Sequence, residues 1–229
     1  VTPGDRIALQ VEKSPEAVMI YLGVIMAGAV FLPLNAAYTP SEVDYFVRDA
    51  EPRELITNAQ EYVEHSRAFP PLAMPVPRAV GDLASIIYTS GTTGRSKGAM
   101  LSHGNLVSNA ATLHRIWGFQ TGDVLINALP IFHVHGLFVA LHTMFLNASK
   151  MIFLPKFDAV QAIGLLPQAT LLMGVPTFYT RLLAEPGFEA GVVRAMRLLI
   201  SGSAPLLAET HKAFEVRTGM RILERYGMT

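Results

Sequence analysis

The sequence predicts an α/β fold with doubly wound, mostly parallel sheets and helices on both faces. Helical and strand-like stretches alternate along almost the whole chain. The 229 residues are 51% hydrophobic, which requires a sizeable buried core. Small polar loops follow several predicted strands, namely "TSGTTG", "GVPT", "SGSAP" and "YGMT". Because ligands bind at the carboxyl ends of strands in such sheets, these loops are the predicted site.

The composition excludes several classes of protein. Lys plus Arg and Asp plus Glu both number 18, so the formal charge is zero and nothing suggests the basic surface of a nucleic-acid binder. We therefore expect no nucleic-acid partner. Without cysteine the chain has no disulfide, no thiolate metal ligand and no cysteine nucleophile. This composition fits a reducing compartment, and we expect a cytoplasmic protein.

The amino-terminal elements begin at helix caps. Ser14 can cap a helix with Pro15 at its first position, and Gly28 can end that helix. The apolar run 29–34 predicts a strand. The sequence "TPSE" from residue 39 is a capping-box pattern that starts a second helix, and "RELIT" supplies the next strand.

The uncharged stretch 17–38 has a second interpretation, because it is long enough to span a membrane. Pro33 and Asn35 interrupt it, and its caps divide it into a helix, a turn and a strand. Buried parallel strands are also continuous apolar runs, so we favour the helix, turn and strand and expect no stable membrane insertion.

A proline-rich segment, "AFPPLAMPVPRAVG" at 68–81, predicts a linker between two portions of an α/β domain, 1–67 and 82–229. After it come the strand "LASIIY", the glycine-rich loop, and a helix capped near Ser102. One face of that helix carries apolar residues at helical spacing: Leu106, Ala110, Leu113 and Trp117.

The second half continues the alternation. Its predicted strands are "MIFLP", "TLLMG", "MRLLIS" and "RILERYG". Its predicted helices follow Asp158, open at Pro176, and end at Gly219.

The glycine-rich loop "YTSGTTGRSKG", residues 88–98, has the composition of a phosphate site. Glycines allow backbone N–H groups to approach oxyanions, hydroxyls add donors, and a lysine supplies charge. A Walker A loop needs Gly-Lys-Ser/Thr, and a dinucleotide fingerprint needs G-x-G-x-x-G; neither spacing occurs. By composition alone the loop could instead be a flexible structural turn.

This loop resembles the phosphate loop of the acyl-adenylate-forming superfamily, which includes acyl-CoA synthetases, luciferases and peptide adenylation domains. Three further stretches match in order: "LPIFHVHG", "SGSAPL" and "ERYGMT". Ser96 departs from the proline that most of the superfamily carries, which affects the expected rigidity of the loop. The stretches "FLPKFD" and "LMGVPTFYTRLL" resemble more closely the malonyl-CoA synthetase branch.

The resemblance implies a reaction in two halves, with ATP, Mg²⁺ and coenzyme A. Malonate, or in some members methylmalonate, reacts with MgATP to give an acyl-adenylate and pyrophosphate. The coenzyme A thiol then displaces AMP. Such an enzyme must hold the carboxylate in line with the α-phosphate of ATP, and it must stabilise the charge that moves onto pyrophosphate.

The resemblance also implies the nucleotide-binding residues. The residues expected to grip the phosphates are Thr89, Ser90, Gly91, Thr92, Thr93, Gly94 and Lys97. Backbone at Gly202, Ser203, Ala204 and Pro205 is expected to lie against adenine, with Tyr226 stacking on the base beside Gly227 and Thr229 bonding the phosphates. Lys97 could instead be a solvated surface lysine, and Tyr226 a core residue.

Two histidines stand two residues apart in "FHVHG". On an extended segment His133 and His135 would share a face, which suggests a metal pair, but no cysteine or nearby acid completes a ligand set. The resemblance instead makes His133 the residue that gates the acyl pocket and meets the adenylate phosphate. His135 lines the acyl site or is structural. Ser201 and Met228 are further expected acyl-site residues.

The second carboxylate of malonate requires a cation, because burying an unpaired charge costs several kcal/mol. Arg181, about one turn into the helix that opens at Pro176, is the predicted partner. It could instead be a solvated helix arginine. Arg53, Arg197 and Arg225 are rivals, although Arg53 precedes the linker and Arg197 begins a strand at its far end.

By the resemblance, the magnesium ligand, the ribose anchor and a mobile C-terminal domain would follow Thr229. We therefore expect these 229 residues alone to catalyse neither half-reaction and to require that C-terminal domain. Two alternatives remain open: a synthetase for another acid, such as a fatty or aryl acid, and a silent nucleotide-binding module.

Overall fold

The computed structural model describes residues 1–89 and 96–227. The chain forms two compact units, Val1–Ser108 and a second that starts at Asn109, and each is described by itself. Both are built from a mostly parallel sheet with helices, which confirms the predicted α/β fold.

The first unit contains a five-stranded sheet in the order β3-β1-β2-β4-β5. Its strands are β1 Arg6–Gln10, β2 Val30–Leu34, β3 Glu54–Ile56, β4 Leu83–Thr89 and β5 Lys97–Ser102. Its helices are α1 Pro15–Met26, α2 Pro40–Ala50 and α3 Ala59–Ser66, and α4 His103–Ile116 begins in it. All strand pairs are parallel except β4 with β5, which is antiparallel.

The predicted caps are present at the first two helices. The Ser14 hydroxyl accepts a hydrogen bond from the Ala17 N–H at 3.2 Å, and Thr39 and Glu42 form the capping box of α2. Every residue of β2 is buried, so the uncharged stretch is a helix followed by a core strand. Across 1–89 and 96–227, no helix has the length and apolar character needed to cross a bilayer.

The second unit contains a fully parallel sheet in the order β10-β9-β8-β6-β7. Its strands are β6 Val124–Asn127, β7 Lys150–Phe153, β8 Leu171–Gly174, β9 Leu198–Ser201 and β10 Leu223–Glu224. Its helices are α5 His142–Leu146, α6 Ala159–Leu165, α7 Pro176–Ala184 and α8 Ala208–Thr218, with a π-helix at His135–Leu141 and a 3₁₀ turn at Leu166–Gln168.

The amino ends of three neighbouring strands in this sheet are tied together. Asp123, Thr170 and Arg197 each stand immediately before a strand, at β6, β8 and β9. Arg197 binds Asp123 through two nitrogens, with Nε to Oδ1 at 2.7 Å, and Thr170 Oγ1 donates to Asp123 Oδ1 at 2.9 Å. This network lies at the edge opposite the carboxyl ends, so it supports the sheet away from the predicted site.

The proline-rich segment 68–81 contains no helix or strand. The segment lies inside the first unit, where its Val76 N–H donates to the Met26 carbonyl at 2.8 Å. Strand β4, on its carboxyl side, pairs in parallel with β2, on its amino side. This pairing places the chain before and after the segment in the same unit. Along the sequence, the boundary between the two units falls after Ser108.

Candidate functional site

The ends of the glycine-rich loop are fixed by strand pairing in the first unit. Thr89, the last residue of β4, stands opposite Lys97, the first residue of β5, and Thr89 Oγ1 donates to the Lys97 carbonyl at 3.4 Å. Lys97 is exposed, so its ammonium is accessible to a ligand. The predicted phosphate residues Ser90, Gly91, Thr92, Thr93 and Gly94 lie outside the described residues.

The antiparallel pairing of β4 with β5 is close enough to require a glycine. A Cβ added at Gly98 would lie 2.8 Å from Ile86 Cγ2 and 3.5 Å from Tyr88 Cε1. The last glycine of the motif therefore has a packing role, which the composition of a phosphate loop does not reveal.

The "FHVHG" segment in the second unit is a turn followed by a π-helix, not the extended segment considered from the sequence. The two histidines consequently differ in environment: His133 is exposed, whereas His135 is 4% exposed. Partial desolvation lowers the pKa of His133. Within 1–89 and 96–227, no three His, Cys, Asp or Glu side chains form a group able to hold a metal ion.

Gly136 allows this segment to fold back on itself. A Cβ added there would lie 2.1 Å from the Pro130 carbonyl oxygen, far inside any allowed contact. The π-helix that starts at His135 was not predicted, although such helices are frequent at functional sites. Its residues His135 to Leu141 are all buried, so the helix is part of the core.

His135 is a buried, neutral imidazole. Its Nδ1 lies 3.2 Å from Ser203 Oγ, and its Nε2 is buried with no hydrogen-bond partner among the described residues. Burial, and secondly the nearby Arg225 guanidinium, lower the pKa of His135 to about 4. At neutral pH the ring therefore offers one donor and one acceptor.

The predicted adenine loop follows β9. Ser201 is fully buried, and its hydroxyl has no partner in the described part of the chain. Gly202 is buried with its N–H donating to the Gly174 carbonyl at 3.1 Å. Ser203 has a φ of 70°, a left-handed conformation uncommon for a residue with a side chain, and Ala204 and Pro205 are exposed.

Arg225, a rival of Arg181 for the acid-binding role, packs against this loop. A Cβ added at Gly202 would lie 3.0 Å from Arg225 Cγ and 3.1 Å from His135 Cε1, so the three residues are in close contact. Arg225 is half-buried, its Nε has no partner in 1–89 or 96–227, and burial lowers its pKa. Arg225 directly follows β10, and its place towards the carboxyl end of the last predicted strand, "RILERYG", is the signal that could have found it.

Tyr226 and Arg181 are both at the surface. Tyr226 is 89% exposed, so it does not fill the core of the described chain and its ring is accessible for stacking. Arg181 is exposed on α7, where Nη1 donates to the Phe157 carbonyl at 3.4 Å and the guanidinium lies 5.2 Å from the Phe157 ring. Gly227 is exposed, whereas Met228 and Thr229 lie outside the described residues.

These groups around Gly202 have the chemistry of an anion site. Three buried atoms in this region have no hydrogen-bond partner among the described residues, namely His135 Nε2, the Ser201 hydroxyl and Arg225 Nε, so they remain able to bond a ligand or water. A guanidinium, a hydroxyl and a neutral imidazole together fit a carboxylate or a phosphate oxygen.

Several known proteins are similar to this chain. The ATP-bound crystal structure of MatB from Rhodopseudomonas palustris is 47% identical, with a TM-score of 0.95 over 100% of this chain and 50% of that one. The malonate–CoA ligase of Arabidopsis thaliana is 30% identical over 99% of this chain and 45% of that protein. The long-chain-fatty-acid–CoA ligase of Bacillus subtilis is 27% identical over 99% of this chain and 51% of that protein.

The chain thus spans about half the length of the curated relatives that it matches. The family described as AMP-binding enzyme matches all of it, residues 1–229. This confirms the resemblance inferred from the four motifs, and the chain belongs to the AMP-binding enzyme family.

Proposed function

We propose that the protein carrying this chain is an AMP-forming acyl-CoA ligase. The observation that carries the proposal is the family match along the whole chain, which includes the complete motif "YTSGTTGRSKG". In the first half-reaction a carboxylate oxygen attacks the α-phosphate of ATP, and pyrophosphate leaves. In the second, the coenzyme A thiol attacks the acyl carbon, loses its proton, and AMP leaves.

The residues have distinct parts in this proposal. Lys97 and the hydroxyls of the glycine-rich loop stabilise charge on the β- and γ-phosphates, each well-placed donor contributing roughly 2–4 kcal/mol. The loop from Gly202 to Pro205 and the exposed ring of Tyr226 hold adenine. His133 meets the adenylate phosphate, and Thr229 bonds the nucleotide phosphates.

Magnesium is the metal that the family implies. No group of three His, Cys, Asp or Glu side chains able to hold a metal lies in the described ranges. Because Mg²⁺ in nucleotide sites is held mainly by phosphates, waters and one or two carboxylates, this observation does not assign its ligands, and we route no step through the metal.

We further propose malonate as the acid. Among the three relatives described above, the Arabidopsis ligase carries malonate in its name. The physical support is the presence of arginines that can neutralise a second carboxylate. Arg181 is the partner predicted from the sequence, and its guanidinium has no carboxylate within ion-pair distance in 1–89 and 96–227. We add Arg225, because its half-buried side chain packs against Gly202 and its Nε has no partner in 1–89 or 96–227.

ATP–pyrophosphate exchange on the full-length protein tests both levels of the proposal. Malonate, methylmalonate, butyrate, a long-chain fatty acid and ferulate would each be supplied with ATP and labelled pyrophosphate. We expect malonate to support the fastest exchange. Faster exchange with another acid would contradict malonate but keep the ligase, whereas no exchange with any acid would favour the silent nucleotide-binding module.

A further inference from the structure

Helix α2 contacts residues at both ends of the glycine-rich loop. At the first residue of the loop, the Tyr88 hydroxyl on β4 donates to Asp49 of α2. Near its other end, the Tyr45 hydroxyl of α2 donates to the Ser96 carbonyl at 2.8 Å. Ser96 directly precedes Lys97, so the second bond fixes the backbone next to the predicted phosphate-binding cation.

These two contacts come from one face of the helix. Tyr45 and Asp49 are four residues apart, a spacing that places side chains one above the other on a helix. Ring packing restricts the Tyr45 side chain, which lies edge-on against Phe46 at 5.4 Å and against Tyr88 at 6.3 Å between centroids. Phe46 is buried in the core of the first unit, and its ring centroid lies 4.5 Å from that of Tyr88.

The sheet does not need the hydrogen bond between Tyr45 and Ser96 in order to form. Strands β4 and β5 are already paired from Leu83 with Ser102 to Thr89 with Lys97. A hydroxyl bonded to a backbone carbonyl outside that ladder adds little to strand pairing. It does restrict the position of Ser96, which the ladder leaves outside the strand.

We propose that Tyr45 is a positioning residue, which holds the Ser96–Lys97 backbone so that the Lys97 ammonium meets the nucleotide phosphates. Tyr45 acts through Lys97 and does not itself contact ATP. The proposal rests on the proposed function for its ligand, and it assigns to α2 a part in nucleotide binding that the sequence motifs do not contain.

The Tyr45→Phe variant of the full-length protein tests this, because it removes only the hydroxyl. We expect the Kd for ATP, measured by calorimetry, and the KM for ATP in pyrophosphate exchange both to rise about fivefold, as for loss of one part-buried hydrogen bond. The KM for malonate stays unchanged. Tyr62→Phe is the matched control: its hydroxyl, also part-buried in the first unit, donates to Glu54 at 3.2 Å, away from the loop.

A merely structural role for Tyr45 predicts that the two variants behave alike in ATP affinity and in unfolding temperature. The double variant with Lys97→Ala separates positioning from a direct contact. If Tyr45 acts through Lys97, then Tyr45→Phe has no further effect on ATP affinity once Lys97 is alanine. Full additivity of the two changes would overturn the proposal, as would an unchanged ATP affinity in Tyr45→Phe or in Lys97→Ala.

The outcomes also separate this inference from the proposed ligase. Absence of exchange in the wild-type protein contradicts the ligase, while calorimetric ATP affinity still decides the role of Tyr45. Normal exchange in the wild type with no change in Tyr45→Phe contradicts only the positioning role.

Discussion

At the scale of single residues, Gly136 shows how one missing Cβ permits the "FHVHG" segment to fold back on itself. We expect Gly136→Ala to reduce the free energy of unfolding by about 3 kcal/mol, since its Cβ would overlap the Pro130 carbonyl and the backbone must move. Urea unfolding measures this change. The control is Gly164→Ala in α6, where nothing lies within 4 Å, and alanine should be neutral or stabilise by up to about 1 kcal/mol. Equal effects of the two variants would refute the explanation.

Two arginines compete for the second carboxylate of malonate. If Arg181 binds it, Arg181→Leu should lower kcat/KM for malonate by about 10²-fold or more, relatively favour butyrate and leave the KM for ATP nearly unchanged. A loss below about fivefold is typical of an exposed ion pair and would exclude Arg181.

Arg225→Leu provides the comparison in the same assay. A large malonate-specific loss in Arg225→Leu with little effect in Arg181→Leu would assign the carboxylate to the residue beside His135 and Gly202. Losses that are equal for malonate and butyrate in both variants would show that neither arginine recognises the second carboxylate.

At the scale of secondary-structure elements, the Asp123 carboxylate joins the starts of three parallel strands. It is 3% exposed and accepts bonds from Arg197, Thr170 and the Gln120 N–H. Burial alone would raise the pKa of Asp123, but these hydrogen bonds and the Arg197 charge outweigh it and lower the pKa below its ordinary value. Its contribution to stability is therefore present above the ordinary carboxyl pKa and is lost as the pH falls through the lowered one.

We expect Asp123→Asn to destabilise the protein by about 3 kcal/mol, because Arg197 keeps a largely buried charge without its partner. Chemical denaturation at pH 7 measures this. The matched control is Asp44→Asn, whose exposed pair with Arg48 on α2 should contribute less than about 0.5 kcal/mol. Acid preference in pyrophosphate exchange should not change in Asp123→Asn, since the network lies at the edge opposite the predicted site. A shift in acid preference would contradict this structural role.

At the scale of the whole molecule, two poorly solvated histidines make stability depend on pH. Burial is the main cause that lowers the pKa of His135 and of His142 to about 4 each. Between the ordinary histidine pKa and about pH 4, the two imidazoles are protonated in the unfolded chain but neutral in the folded chain. The free energy of unfolding is therefore not reduced by these histidines above about pH 6.5. It falls as the pH decreases towards 4, by about 1.4 kcal/mol per pH unit for each histidine.

Unfolding free energies measured between about pH 7.5 and 4.5 test this, with His135→Gln as the comparison. We expect the variant to be less stable at neutral pH, where it loses the contact with Ser203, but to show a shallower decline with acid. A decline as steep as that of the wild type would mean that His135 does not titrate as described.

Much of the fold follows from local sequence. Ser14, the capping box at Thr39, Asp158 and Pro176 begin helices where the sequence predicts, because a cap satisfies backbone groups within a few residues. The apolar runs of β2, β4, β8 and β9 predict strands, since both faces of a parallel sheet are covered. The elements not predicted are β1, α3, β5, β6, the π-helix, α5 and the 3₁₀ turn, which are short or lack an unambiguous hydrophobic period.

The candidate site also has features that the sequence predicts and features that it does not. The sequence by itself determined the family, because four motifs in order identify it without knowledge of contacts. The sequence also predicted which loops carry the site. Only the tertiary structure shows that Arg225 packs against Gly202 and His135, and that Tyr45 bonds to Ser96. It also shows that Arg181 and Tyr226 are exposed. His133 is exposed as well, whereas His135 is buried. The physical reason is range: caps and motifs act over a few residues, whereas burial and the partner of a polar atom depend on distant parts of the chain, as in the bond between His135 and Ser203, 68 residues apart.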